Sequence, residues 1–231
     1  MDKTKLIQTL GLVKRYPVGG GHFTALRDID FNVNTGEFVG LVGPSGSGKT
    51  TLLNIIGALD TASEGKVEVL GKDLATLTGP QAAKHRSEFL GFIFQTYNLL
   101  PVYTVFENVE FPLLLLGIST EERKKMVMEA LDWVGIVDKA DSRPKMLSGG
   151  ESQRVAIARA MVKKPRLVLA DEPTANLDAK NSHHILETMV KLNQELGTTF
   201  VFATHDEKVI SYLRRKVTLV DGRIQSDELL N

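Results

Sequence analysis

The chain has 231 residues, 42% of them apolar, enough for one large domain or a domain carrying an inserted subdomain. Its 28 basic and 28 acidic side chains cancel, so no polyanion-binding surface is indicated and nucleic acid is not expected as a partner. The absence of cysteine excludes a disulfide framework and a thiolate metal site, and fits a reducing compartment.

Met1 to Gln8 contain no apolar stretch of the kind a leader peptide needs. Leu6 to Tyr16 reads as a strand, Pro17 to Gly21 as a loop, and His22 to Leu26 as a second strand. Ile29 to Val33 alternates apolar with polar, the period of a half-buried strand. Phe38 to Val42 is a continuous apolar run, which suits a strand buried on both faces. A helix is expected from about Lys49 to Leu59, then a strand and turn over Val67 to Gly71. From about Pro80 to Met146 the pattern is mostly helical, interrupted by a strand over Phe89 to Phe94. Ser119 and Glu122 are spaced as a capping box for a helix bearing Met126, Val127, Ala130, Leu131 and Val134, with Trp133 as a packing residue.

The longest apolar run, Phe111 to Ile118, is broken by Pro112 and Gly117 and is far shorter than the roughly 20 residues that span a bilayer. After Gly150 helices and strands alternate: a helix over Glu151 to Lys163, a strand at Leu167 to Ala170, a helix over 182–196, and strands at Phe200 to Ala203 and Val217 to Val220. That alternation implies a parallel sheet covered on both faces. The sequence has no internal repeat and no low-complexity segment.

Three stretches carry chemistry. Gly43-Pro44-Ser45-Gly46-Ser47-Gly48-Lys49-Thr50 fits G-x-x-x-x-G-K-[ST] between a buried strand and a helix. The glycines let backbone N–H groups wrap phosphates at a helix start, Lys49 supplies a point charge for the β- and γ-phosphates, and Thr50 offers a hydroxyl to Mg²⁺. Asp171 and Glu172 end a buried strand. One acid there could merely cap a helix, whereas two beside a phosphate loop suit separate tasks: Asp171 in the Mg²⁺ shell, Glu172 polarising a water. In Leu147-Ser148-Gly149-Gly150-Glu151, Ser148 and Glu151 are spaced as a capping box. The two glycines cost up to about 1 kcal/mol each relative to alanine in a first helical turn. They point to close approach of a ligand, with a phosphate the natural candidate.

With these motifs, in this order and spacing, the chain closely resembles the nucleotide-binding subunits of ABC transporters over essentially its whole length. The resemblance implies an α/β fold: a P-loop NTPase core with a parallel sheet (37–62, 73–80 and 151–231), an N-terminal antiparallel β subdomain (1–36 with 63–72), and an inserted α-helical subdomain (81–150). It implies an ATPase using Mg²⁺. ATP would be held by Tyr16 and by Gly43 to Lys49 with Thr50 and Thr51, and sandwiched in a head-to-tail homodimer by Ser148, Gly149, Gly150 and Glu151 of the opposite subunit.

Tyr16 matches the aromatic that stacks on adenine. Gln95 matches the glutamine that touches Mg²⁺ and water, and His205 the histidine at the γ-phosphate; a lone histidine at a strand end is otherwise more often structural. Asn176 and Asp178 match the loop that contacts the opposite subunit, with a helix N-cap as the alternative for Asp178. His183 and His184 match nothing and read as surface residues. No Asn-Lys-x-Asp element for guanine is present.

Asn98-Leu99-Leu100-Pro101, Glu107-Asn108-Val109 and Thr174 to Asp178 are similar to the lipoprotein-releasing, macrolide-efflux and cell-division branch. Val102-Tyr103-Thr104-Val105 departs from that branch's leucine-threonine pattern. The resemblance implies an integral membrane permease as partner, with an external or periplasmic adaptor reached through it. The chain would then be peripheral, on the cytoplasmic side of the inner membrane. A regulatory ATPase of the cell-division type, which switches a membrane partner without transport, is the alternative. A soluble ABC ATPase of translation or DNA repair fits poorly, since those carry two ATPase domains or a long coiled coil.

Overall fold

A computed structural model describes residues 5–230; Met1 to Thr4, within the stretch read as lacking a leader, and Asn231 lie outside the described residues. Two sheets pack across one apolar cluster, and a second cluster lies between the larger sheet and the helices. The first is antiparallel, in the order β2 (Gly21–Asn34), β1 (Lys5–Val18), β4 (Glu64–Val69), β5 (Lys72–Asp73). The second has six strands in the order β10 (Arg223–Leu229), β9 (Arg215–Val220), β3 (Phe38–Val42), β8 (Thr199–Thr204), β7 (Leu167–Asp171), β6 (Leu90–Ile93). All its neighbours pair in parallel except the edge strand β10, which returns antiparallel on β9.

Side chains leave a strand on alternate faces, so the central strands serve two cores at once. From β3, Phe38 joins a cluster with the helices, while Val39 and Leu41 join one between the two sheets. The helix-side cluster includes Val109 and Leu113 of α3 (Val105–Leu115) and Val127 and Leu131 of α4 (Thr120–Trp133). Val155 and Met161 of α5 (Gly149–Met161) and Ile185 and Met189 of α6 (Ala179–Leu196) also belong to it. The inter-sheet cluster takes Leu52, Ile55 and Ile56 from α1 (Lys49–Ile56).

Several sequence expectations shift, each for a physical reason. The loop read at Pro17 to Gly21 is only a tight turn at Gly19 and Gly20, and the two strands after it are one. The register moves from Leu12 opposite Ile29 to Lys14 opposite Leu26, so β2 carries an extra residue there, with Asp28 at φ 56. The bulge lets Leu26 and Ile29, three apart, both face the core, and the break in alternation reads from sequence as a strand end. Helix α1 stops at Ile56, short of Leu59: a Cβ on Gly57 would lie 2.7 Å from the Phe92 ring, and Ala58 turns to φ 52.

The boundary of the helical insertion at 81 also moves. α2 (Gly79–Phe89) leads into β6, an edge strand of the main sheet, so residues 90–93 belong to the core. Asp73, assigned to the core, pairs in the antiparallel sheet. At α4, Ser119 accepts from the Glu122 N–H, but the reciprocal half of the expected capping box is not formed. Trp133 packs on the helix-side cluster, with the Lys164 ammonium 5.5 Å from its ring centre. Among the described residues no helix is long and apolar enough to cross a membrane.

Candidate functional site

β3, β8 and β7 lie side by side, and their C-terminal ends deliver the phosphate loop, Thr204-His205 and Asp171-Glu172 to one place. Ligands of open α/β sheets bind at such strand ends. A cavity of about 460 Å³ is lined there by Ser45, Gly46, Gly48, Lys49, Thr50, Thr51, Asp171, Glu172 and His205, with Gln95 arriving just beyond β6 and Tyr16 from β1.

The loop geometry follows from its glycines. Gly48 is the N-cap of α1 at φ 103, and a Cβ there would stand 2.8 Å from the Ala25 carbonyl oxygen, so only glycine fits. No side chain caps α1 and its first turn holds no acid, which leaves its N–H donors to an anion. Lys49 is nearly buried and donates from Nζ to the carbonyls of Gly43 (2.7 Å) and Pro44 (2.8 Å). Burial lowers its pKa, against the opposing pull of Glu172 and Asp171.

The acid pair is split by its surroundings. Asp171 Oδ1 accepts from the Thr50 hydroxyl at 3.2 Å, and burial raises its pKa. Glu172 sits in the left-handed region at φ 44, an uncommon backbone state for a non-glycine residue and one found at active sites. Its N–H donates to the Ala203 carbonyl, Thr204 donates to its Oε2 at 3.0 Å, and His205 Nδ1 lies 2.6 Å from its Oε1. His205 is exposed while the glutamate is mostly covered, so the histidine faces the cavity mouth. The Thr50 hydroxyl, the Asp171 carboxylate and the Gln95 side-chain amide line the cavity, each with an oxygen that could ligate a metal. Among the described residues no group of three or more His, Cys, Asp or Glu could hold a metal alone. Such a sparse set suits Mg²⁺, which keeps several waters and shares phosphate oxygens.

Tyr16 lies at the rim, its hydroxyl donating to Asp60 at 2.7 Å and its ring 4.8 Å from the Lys14 ammonium. Burial, and then the Asp60 carboxylate, push its phenol upward. Phe23 and Ala25 also line the cavity, and the sequence reading passed over both. Phe23 stands directly opposite Tyr16 in the β1–β2 ladder and is 56% exposed, so a bulky apolar residue paired across a hairpin with the rim aromatic was its signal.

Not every expected residue reaches the cavity. Gly43, Pro44 and Ser47 do not line it: the first two present carbonyls to Lys49, and the Ser47 hydroxyl is buried without a partner. Ser148 to Glu151 do not line it either. There the capping box forms in full, with Ser148 and Gly149 exposed. A Cβ on Gly150 would stand 2.6 Å from Asn181 Oδ1, so packing inside the chain gives a reason for glycine there besides the close approach of a ligand. Asp178 does cap α6, accepting from the Asn181 N–H at 2.8 Å, and Asn176 Nδ2 donates to the Gln95 carbonyl at 2.8 Å. His183 and His184 are exposed, as read, with His183 3.0 Å from the Tyr212 hydroxyl.

An uncapped helix start behind a glycine loop, with a carboxylate brought to it from the end of a strand two places along the sheet, is the construction of a phosphate-loop nucleoside triphosphatase. The ABC transporter family model matches residues 26–175, and the chain belongs to that family as an ATP-binding, ATP-hydrolysing subunit. It is 43% identical over 224 residues to the lipoprotein-releasing system ATP-binding protein LolD of Geobacter metallireducens, covering 97% of this chain and 100% of that one. It is 44% identical to an uncharacterized ABC transporter ATP-binding protein of Thermotoga maritima, covering 97% and 95%. Its fold is similar to that of the ATP-binding cassette MJ0796, solved as a dimer in a post-hydrolysis state with ADP and Pi. That match has a TM-score of 0.91 and 41% identity, over 97% of this chain and 99% of that one.

Proposed function

We propose that two copies of this chain close head to tail on two ATP molecules and that their cycle drives a membrane permease of the lipoprotein-releasing type. The phosphates lie along Ser45 to Lys49 with Thr50 and Thr51, and adenine rests on Tyr16 beside Phe23. Thr50, Asp171 and Gln95 hold Mg²⁺, which draws charge from the phosphate oxygens when bound. Glu172 accepts a proton from the attacking water as its oxygen bonds to the γ-phosphorus. The bond to the β–γ bridging oxygen breaks, releasing ADP and phosphate. His205 positions Glu172 and the γ-phosphate.

One observation carries the two-chain reading: Ser148 and Gly149 are exposed but do not line their own chain's cavity, so a second chain is needed to bring a signature turn over the phosphates. Cysteines placed at Ser45 and Gly149, in a chain with no cysteine of its own, should cross-link between subunits and only with ATP. A cross-link within one chain would sink the composite site.

The permease is proposed to seat a short helix in a groove of about 510 Å³ lined by Leu59, Leu100, Phe111, Pro112 and Leu115, with Arg86, Arg159 and Lys163 among its walls. Next to it in the chain lies the departing Val102-Tyr103 pair, with Val102 71% and Leu115 65% exposed. Arg86, Arg159 and Lys163 donate to backbone carbonyls, leaving their charge open to an acidic residue of the partner. Leu115→Glu should leave the isolated ATPase active and abolish its response to the permease in proteoliposomes. A normal response would place the permease elsewhere.

A further inference from the structure

The segment after Glu172 runs along the start of α5 and touches it repeatedly. Gln153, fully buried on α5, donates from Nε2 to the Pro173 carbonyl at 2.7 Å. A Cβ on Gly149 would lie 3.5 Å from the Asn176 carbonyl oxygen, and one on Gly150 2.8 Å from Cγ of Asn181 and 2.6 Å from its Oδ1. Asp178 grips Asn181 twice, accepting from its backbone N–H at 2.8 Å and from Nδ2 at 2.7 Å. The amide is thereby fixed, with its oxygen turned toward Gly150. The fit is specific: no smaller residue exists for position 150, and a rotated amide would lose its bond to Asp178.

We infer that Asn181 is a positioning residue for ATP hydrolysis: clamped by Asp178, it sets the signature turn at Gly150 against the segment that carries Glu172. The catalytic glutamate serves the chain's own phosphate loop, while the signature turn serves the other chain's, so Asn181 couples the two sites through a rigid contact. The inference rests on the two-chain reading above. It predicts that damage at Asn181 spares nucleotide capture by the chain's own loop and impairs the closed, hydrolysing state.

In the full-length protein, Asn181→Ala should leave ATP affinity in a direct titration within about twofold of wild type and lower kcat about tenfold or more, because sub-ångström placement is lost. Gly150→Ala alone should lose kcat similarly, by steric conflict with the amide. The double variant Gly150→Ala/Asn181→Ala, whose new methyl occupies the vacated space, should hydrolyse faster than either single variant. If Asn181→Ala folds poorly by thermal melting, Asn181→Asp keeps the volume but removes the donor to Asp178, and it should likewise lower kcat while ATP affinity is kept. Wild-type kcat in the Asn181 variant, an equal loss of ATP affinity, or a double variant no faster than the slower single one would each overturn the inference. Failure of the two-chain reading would show instead as an intrachain Ser45–Gly149 cross-link.

Discussion

The molecule has two glycine-rich helix starts, and they are built in opposite ways. At α1 the N-cap is Gly48, no side chain closes the first turn, and the neighbouring cation Lys49 is nearly buried. At α5 the first turn is already satisfied. Ser148 accepts from the Glu151 N–H, Glu151 accepts from the Ser148 N–H at 2.8 Å, and Lys139 pairs with that carboxylate at 3.4 Å. Open donors and a desolvated ammonium suit α1 to hold an anion without a second chain. A capped turn with a carboxylate offsetting the helix dipole can hold its shape without a ligand, which suits a surface that meets its nucleotide only when another chain delivers it.

The comparison breaks most decisively at Lys49. Lys49→Ala should weaken ATP binding by about 100-fold or more in a direct titration, since the charge facing the phosphates is gone. Retained affinity would mean that α1 is not the anchoring site. On the two-chain proposal, Ser148→Arg should instead leave ATP affinity within about threefold while abolishing hydrolysis by the homodimer, because the lesion would then sit away from the chain's own nucleotide. Equal loss of affinity in that variant would erase the distinction between the two helix starts.

A smaller effect tests what lies between them. Glu172→Gln should slow hydrolysis by about 10² or more while ATP still binds, and sizing with ATP should then show a stable dimer. Normal turnover would remove Glu172 from the role of base. The smallest effect is a pH signature at α5. Hydrogen bonds from the Ser148 backbone and side chain hold the Glu151 carboxyl below its ordinary value of 4.5. Its contribution to stability is therefore complete above about that pH and is lost as pH falls through the lower folded value. Melting profiles of wild type and Glu151→Gln should converge in acid and separate above it. Since α1 has no acid in its first turn, no matching signature is expected there.

Much of this was legible along the chain because it is local. A strand with Gly43 to Thr50 after it makes a phosphate loop whatever surrounds it, and Leu167 to Ala170 followed by Asp171 and Glu172 is a buried strand with its acids at the tip. The capping pair Ser148 and Glu151 is likewise written in a spacing of three. What the tertiary structure alone decided involves partners far apart in sequence. The strand order puts β8 between β3 and β7, so that Thr204 and His205 hold Glu172 across the loop's end. Pairing across β1 and β2 sets Phe23 beside Tyr16, and the bulge near Asp28 hides a continuous strand behind a broken alternation. At Gly150 the sequence shows a missing side chain but not the neighbour that stands where a Cβ would be. Asn181, thirty-one positions away, was brought there by the packing of α6 against α5. Periodicity and spacing fix the elements, since each depends on residues a few positions apart. Which elements meet depends on how their apolar faces are buried together, and that is a property of the assembled fold.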